Sequence, residues 1–384
     1  MSATRAMPAP HRFLIATWEG GGNTFPAYHL GSRLARRGHR VRMLGWPSMA
    51  PRAAAAGIEF TAYPSVPPWP DGLRQDDAWE ELMVPLLHGA GSRDEIIAEA
   101  ADFAPDVLVI DCMLGAGFDA ARQLKLPTAV LVHVLYGPFL HVWGDQIMAA
   151  SVKDLLAGAD RVLALTPPGF DEPVEVPANT RFVGPIIRPG PPGPADRTDA
   201  PDLAPLSRPG DPWVLLSLST TEQGQARALP VMLAAVGSLP VRVLLTLGGV
   251  LPADAVAVPP NVTACGFVPH DAALPYMSAV ISHGGLSSVT AALAAGVPLV
   301  CIPQGREQPL NAERVAACGA GQVGAAGAGA AEIAAVIAAV LRDGSARAAA
   351  QRFAAEIAAL GAGESAADEV EQLCGQMARA GASG

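Results

Sequence analysis

The stretch AVISHGGLSSVTAALAAGVPLVCIPQGREQPLNAERVAACGAG, residues 279–321, decides the fold. It reads as a strand, a glycine-rich turn, a helix that stops at Gly296 and a second strand that starts at Pro298. The turn HGGLSS sets glycines and hydroxyls at a helix N-terminus, where unpaired N–H groups and the positive end of the dipole favour an anion. Gly284 and Gly285 let a phosphate approach the backbone, Ser287 and Ser288 offer caps and ligand donors, and His283 can add a hydrogen bond to a diphosphate. A serine-capped helix by itself is common, so the weight lies on the whole stretch.

Working outward, the same rhythm fills the chain. Apolar runs FLIAT (13–17), RVRMLG (40–45), DVLVID (106–111), PTAVLVH (127–133) and RVLAL (161–165) alternate with helical patterns such as 93–103 and 116–124. A proline-dense seam follows at 184–212, through which neither a helix nor a central strand can run. The rhythm then restarts with WVLLSLS (213–219), VRVLLTLG (241–248), NVTACGF (261–267), AVIS (279–282) and PLVCIP (298–303). Continuous apolar strands alternating with helices mean parallel sheets covered on both faces. The expected architecture is therefore α/β, two doubly wound Rossmann-like domains facing each other across a cleft. Residues 1–185 form the first domain, 186–212 a semi-rigid linker and 213–384 the second. The Ala-rich end, about 330–379 with a break at Gly361–Gly363, is read as helices that close the second domain and cross back to the first. In such sheets ligands bind at the carboxyl ends of the strands.

At 384 residues the chain suits two domains of roughly 150 residues or more. Half of it is hydrophobic and 16% is charged, which supports a large core and excludes a disordered tail. Lys+Arg 26 against Asp+Glu 36 gives a net charge of -10, without the footprint of a general binder of nucleic acid or anionic membrane. The five cysteines, Cys112, Cys265, Cys301, Cys318 and Cys374, never take CxxC spacing, which fits a reducing compartment rather than a zinc or disulfide framework. No stretch approaches ~20 consecutive apolar residues and FLIAT is too short for a signal core, so a soluble cytoplasmic protein is expected.

The 279–321 stretch resembles the donor-binding signature of the UDP-glycosyltransferase family, in particular bacterial members that glycosylate macrolides, polyketides and similar natural products. His283, Gly284, Gly285, Ser288, Leu293, Gly296, Val297, Pro298, Pro303, Glu307, Gln308, Asn311, Ala312, Arg314 and Val315 fall in register. SLSTT (217–221) and CGFVPHDAALP (265–275) are weaker matches at the family's places. The resemblance implies the GT-B fold, a nucleotide-sugar co-substrate, no further cofactor and no metal. It implies that Ser219 and Thr220 face the diphosphate, that Phe267 and Val268 meet the nucleobase, and that His283, Gly285, Ser287 and Ser288 hold the phosphates. Glu307 and Gln308 would read sugar hydroxyls. Ala291 stands where the family often carries a glutamate that grips ribose hydroxyls, which favours a deoxyribose and so a dTDP-linked donor over a UDP-linked one.

The turn TWEGGGNTFPAYHLGSRLARRGHRV (17–41) matches the family's first strand–loop–helix, where a histidine normally serves as base. Asn23 stands in its place, and an amide takes no proton at neutral pH. Asp111, which ends DVLVID where the family's orienting aspartate sits, is the first remaining candidate, either as base or as partner to Asn23; Glu19 and His133, each just after a strand, follow. Gly20 and Gly22 have no third glycine at Phe25, so a nicotinamide fingerprint fails. Trp69, Trp79, Tyr136, Phe139 and Trp143 are candidates to line an apolar acceptor pocket. The expected activity is inverting, metal-independent transfer of a sugar, a deoxyhexose by preference, to a small natural product. A non-catalytic helper subunit and a sugar-nucleotide epimerase are the alternatives, and a homodimer or helper protein stays open as partner.

Overall fold

A computed structural model describes residues 10–66, 79–171, 175–187, 203–219, 225–248, 256–325 and 327–380, excepting the side chains of 375–380. Trp69, Thr220 and positions 188–202 of the expected linker lie outside the described residues.

The first sheet holds β1 (Arg12–Ala16), β2 (Arg40–Gly45), β3 (Glu59–Ala62), β4 (Val107–Asp111), β5 (Thr128–Val132), β6 (Arg161–Ala164) and β7 (Thr180–Phe182), in the order β3-β2-β1-β4-β5-β6-β7. The second holds β8 (Trp213–Ser217), β9 (Arg242–Thr246), β10 (Val262–Cys265), β11 (Met277–Ser282), β12 (Leu299–Cys301) and β13 (Gly321–Val323), in the order β10-β9-β8-β11-β12-β13. Every pairing is parallel. Two Rossmann-like sheets with flanking helices make the GT-B architecture.

The central strands are apolar without alternation because helices cover both faces. All residues of β4 and β5 are buried, as are the last four of β1 and of β8. The outer strands β3, β7 and β13 are short and mostly open to solvent, and none carries a continuous apolar run. The sequence reading passed over all three for that reason.

Strand order reverses between β1 and β4 in one sheet and between β8 and β11 in the other. At such switch points the connections leave in opposite directions and open a crevice beyond the strand ends. Asp111 ends β4, and the loop after β1 runs through Trp18 to Asn23. Ser217 ends β8 and pairs with Ser282, after which comes His283. The two crevices face each other.

Among the described residues the halves meet in three places. The Glu364–Ala380 helix buries Ala366, Ala367, Val370 and Leu373 in the core of the first sheet. Arg37 bonds Glu364, Asp368 and Glu371 at 2.6, 2.7 and 2.9 Å, and Arg33 Nε donates to Glu364 Oε1 at 2.9 Å. Secondly, Phe170 meets Phe353 edge to face with ring centroids 5.6 Å apart, and Gly169 N donates to Glu356 Oε1 at 2.9 Å. The third contact crosses the cleft at the site itself. No helix among the described residues is long and apolar enough to cross a membrane.

Candidate active site

A cavity of about 1090 Å³ lies between the two crevices. Its first-domain wall holds the aromatic side chains Trp18, Phe25, Tyr28, Trp79 and Trp143, together with Met113 and the cations Arg36 and Arg52. Its second-domain wall holds the polar side chains of Ser217, Ser219, Thr246, His270, His283, Ser287, Ser288, Glu307 and Gln308, with Phe267, Val268 and Leu286 among them.

Asp111 sits behind the first wall, 3% exposed, and is surrounded by donors. Its Oδ1 accepts from Trp18 Nε1 at 3.2 Å and from the Met113 N–H at 2.9 Å, and lies 3.1 Å from His133 Nε2. Its Oδ2 accepts from Asn23 Nδ2 at 3.1 Å. Burial opposes the charge, but the His133 cation and these hydrogen bonds outweigh it and hold the carboxyl below the usual aspartate range. A carboxylate so placed is a weak proton acceptor. His133 shows the reciprocal effect. Burial disfavours its cation, but the Asp111 charge dominates and raises the imidazole well above the usual histidine range. Unlike Asp111, His133 lines the cavity.

Asn23, 6% exposed, donates to Trp18 O at 3.0 Å as well as to Asp111, and its Oδ1 accepts from Gly20 N at 3.0 Å. Its amide therefore organises the loop that a histidine would otherwise occupy. Glu19 does not line the cavity: its carboxyl faces Ser48 Oγ at 3.5 Å and feels the charge of Arg52, while burial raises its pKa. The structure therefore does not bring Glu19 to the cavity wall with Asn23 and His133.

Of the aromatic candidates, Trp79 and Trp143 line the cavity, whereas Tyr136 and Phe139 do not. The latter two are 0% and 1% exposed and belong to the first-domain core, Tyr136 packing on Phe182 with centroids 5.7 Å apart. The short helix after β5 turns both rings inward, a direction that composition alone did not give.

On the second wall, Ser219, Phe267, Val268, His283, Gly285, Ser287, Ser288, Glu307 and Gln308 all border the cavity. Gly284 does not. It has φ +88°, its carbonyl accepts from Asn311 Nδ2 at 2.9 Å, and a Cβ there would meet Gln308 O at 3.2 Å. Its glycine identity serves the turn. Gly285 needs to be glycine for another reason, since a Cβ would lie 2.4 Å from His283 Nε2. The Leu286–Ala294 helix starts there with no side-chain cap, and Ser287 Oγ donates to the Gly22 carbonyl across the cleft at 3.0 Å. Burial pushes the His283 pKa down to about 4, so this imidazole is neutral at neutral pH, and its buried Nδ1 has no hydrogen-bond partner among the described residues. Ala291 also borders the cavity.

Among the lining residues that went unread in the sequence, two stand out. His270 starts a short helix after β10, borders the cavity and pairs its Nε2 with Ser217 Oγ at 3.1 Å. Arg52 reaches over from the first domain, its guanidinium 4.7 Å from the Phe25 centroid and 6.0 Å from those of Tyr28 and Phe267. The histidine lay inside CGFVPHDAALP, so a signal existed; the arginine sits in an Ala-rich helix with none.

The model of the "Erythromycin biosynthesis protein CIII-like, C-terminal domain" matches residues 217–373, and that of the "Glycosyl transferase 4-like domain" matches residues 20–172. The chain is 26% identical over 372 residues to 4'-demethylrebeccamycin synthase of Lentzea aerocolonigenes, covering 81% of this chain and 86% of that protein. It is 28% identical over 332 residues to demethyllactenocin mycarosyltransferase of Streptomyces fradiae, covering 77% and 71% respectively. The solved structure of CalG4, the calicheamicin glycosyltransferase, superposes with a TM-score of 0.76 at 26% identity, over 96% of this chain and 99% of that one. With a separate glycosyltransferase domain model matching each side of a cleft built at two facing switch points, the chain has the GT-B fold and is similar across both halves to bacterial natural-product glycosyltransferases.

Proposed function

We propose that the protein transfers a sugar, preferentially a deoxyhexose, from a nucleoside diphosphate to a small natural-product acceptor, with inversion and without a metal. The observation that carries this reading is the Asp111–His133 pair at 3.1 Å, with His133 on the first-domain side of the cavity. In this reading the acceptor packs against Trp18, Trp79 and Trp143. His133, in its neutral form, takes the acceptor's proton, and Asp111 fixes the ring and balances the cation that forms. Asp111 thus becomes the orienting partner and not the base. The diphosphate lies against the Leu286–Ala294 helix N-terminus with Ser219, Ser288 and His283 as hydrogen-bond donors, and the helix dipole offsets the charge that grows on the leaving group. Glu307 and Gln308 face the sugar, and Phe267 with Val268 the base. An alanine at 291, where the resemblance would place a glutamate that grips ribose hydroxyls, supports dTDP over UDP.

The loss of the usual histidine at Asn23 favours a helper subunit, but a second histidine on the same aspartate supports an enzyme. Incubation with dTDP- and UDP-linked sugars and a panel of phenolic, polyketide and indole acceptors, read by product mass, tests the proposal. His133→Gln keeps hydrogen bonding without basicity and should lower kcat by about 10²–10⁴-fold. A variant as fast as the wild type would exclude His133 as base, and products that form without acceptor would point to isomerase chemistry.

A further inference from the structure

Residues Gly20-Gly21-Gly22 fail as a cofactor fingerprint, yet each glycine has its own structural reason. A Cβ on Gly20 would lie 2.5 Å from the Trp18 ring and 2.7 Å from Asn23 Oδ1. Gly21 has φ +88°, which a side chain disfavours. Gly22 has no such backbone demand, but a Cβ there would lie 2.9 Å from Ser287 Oγ of the opposite domain. The loop is therefore shaped at one end by the catalytic pocket and at the other by the facing helix.

We propose that Gly20–Asn23 is a coupling loop in which Asn23 and Ser287 are positioning residues: the Ser287 hydroxyl latches the Gly22 carbonyl when the cleft closes, and Asn23 carries that closure to the Asp111–His133 pair. The chain of contacts is continuous. Ser287 Oγ donates to Gly22 O at 3.0 Å; Asn23, the next residue, holds Gly20 N and Trp18 O at 3.0 Å each and Asp111 Oδ2 at 3.1 Å. Trp18 in turn donates to the other Asp111 oxygen at 3.2 Å. Displacing the loop thus disturbs two of the hydrogen bonds that orient the carboxylate, and through it His133. The same helix N-terminus that faces the leaving group also reports closure to the base. This assignment rests on the transferase reading for its catalytic half only.

The test has two parts. An ideal Cβ on Gly22 lies 3.6 Å from Ser287 Cβ, within the range spanned by a disulfide. The paired variant Gly22→Cys/Ser287→Cys, oxidised in the absence of substrate, should cross-link, as read by peptide mapping. Failure to cross-link in a protein that melts like the wild type would overturn the latch, whatever the activity. For the coupling, Gly22→Ala should lower kcat on the order of 10²-fold by wedging the latch apart, with little change in the acceptor KM. Ser287→Ala removes both the bond and the clash, so Gly22→Ala/Ser287→Ala should be no slower than Ser287→Ala alone. A double variant slowed by the product of the two single effects would overturn the coupling. Absence of transfer by the wild type would instead strike the transferase reading and leave the cross-linking result standing.

Discussion

At the scale of single residues, the proposed chemistry turns on His133. Asn23 stands where the resemblance implies a base, and the structure sets His133, just after β5, 3.1 Å from Asp111. Only the neutral imidazole can accept a proton, and Asp111 holds His133 charged above the ordinary histidine range. The rate should therefore rise with pH through a limb above that range and level off on the alkaline side. Asn23→Asp would place a second carboxylate beside Asp111 Oδ2, stabilise the His133 cation further and move that limb to higher pH. A pH–rate profile of both proteins checks the sign; a limb that moves downward contradicts the pairing. The sequence offers both partners, Asp111 from the place of the family's orienting aspartate and His133 from its position after a strand. It leaves Asp111 either as base or as partner to Asn23, because it does not show how many N–H groups converge on that carboxylate.

At the scale of elements, legibility followed burial. Strands covered on both faces read as unbroken apolar runs, and β2 falls at 40–45 as its residues predict. Of the four edge strands among the described residues, only β10 reads as a run, in NVTACGF; β3, β7 and β13 carry none. The turn at 361–363 was visible as glycines, and the structure gives the reason: Gly361, Ala362 and Gly363 all have positive φ, and a Cβ on Gly363 would lie 2.9 Å from Ile186 Cγ2. The break redirects the last helix onto the first domain, where Leu373 is fully buried. Leu373→Ala should cost about 2–5 kcal/mol of unfolding free energy, as a large-to-small change in a core. Disrupting the exposed Arg40–Glu59 pair should cost under about 1 kcal/mol. Denaturant titration compares the two, and equal effects would deny the helix its place in the core.

At the scale of the whole molecule, two sheets present their switch points to one cavity, and the walls divide the work by composition. In the proposed reading the aromatic side faces the acceptor, and the polar side, a helix N-terminus with hydroxyls and neutral imidazoles, faces the donor's anion. Such a division would let a chain of net charge -10 take a charged donor: the local dipole and N–H groups act at contact distance, where the distant carboxylates are screened. The sequence carried the larger part of the polar wall, because His283, Ser287, Ser288, Glu307 and Gln308 fall in one segment, 279–321, whereas Ser217, Ser219, Thr246 and His270 come from other strand ends. The aromatic wall is assembled from separate loops whose side-chain directions only the fold supplies, which is why Tyr136 and Phe139 were misread and Arg52 was missed.

The central claim is that the second-domain wall holds a nucleoside diphosphate, and thermal unfolding with dTDP and with UDP tests it most directly. Ligand at a hundredfold excess over its Kd stabilises by about 2.7 kcal/mol, a readily measured rise in Tm. The account predicts a rise with both nucleotides at saturation and, at equal lower concentrations, a larger one with dTDP. An unchanged Tm with either nucleotide at millimolar concentration would contradict it.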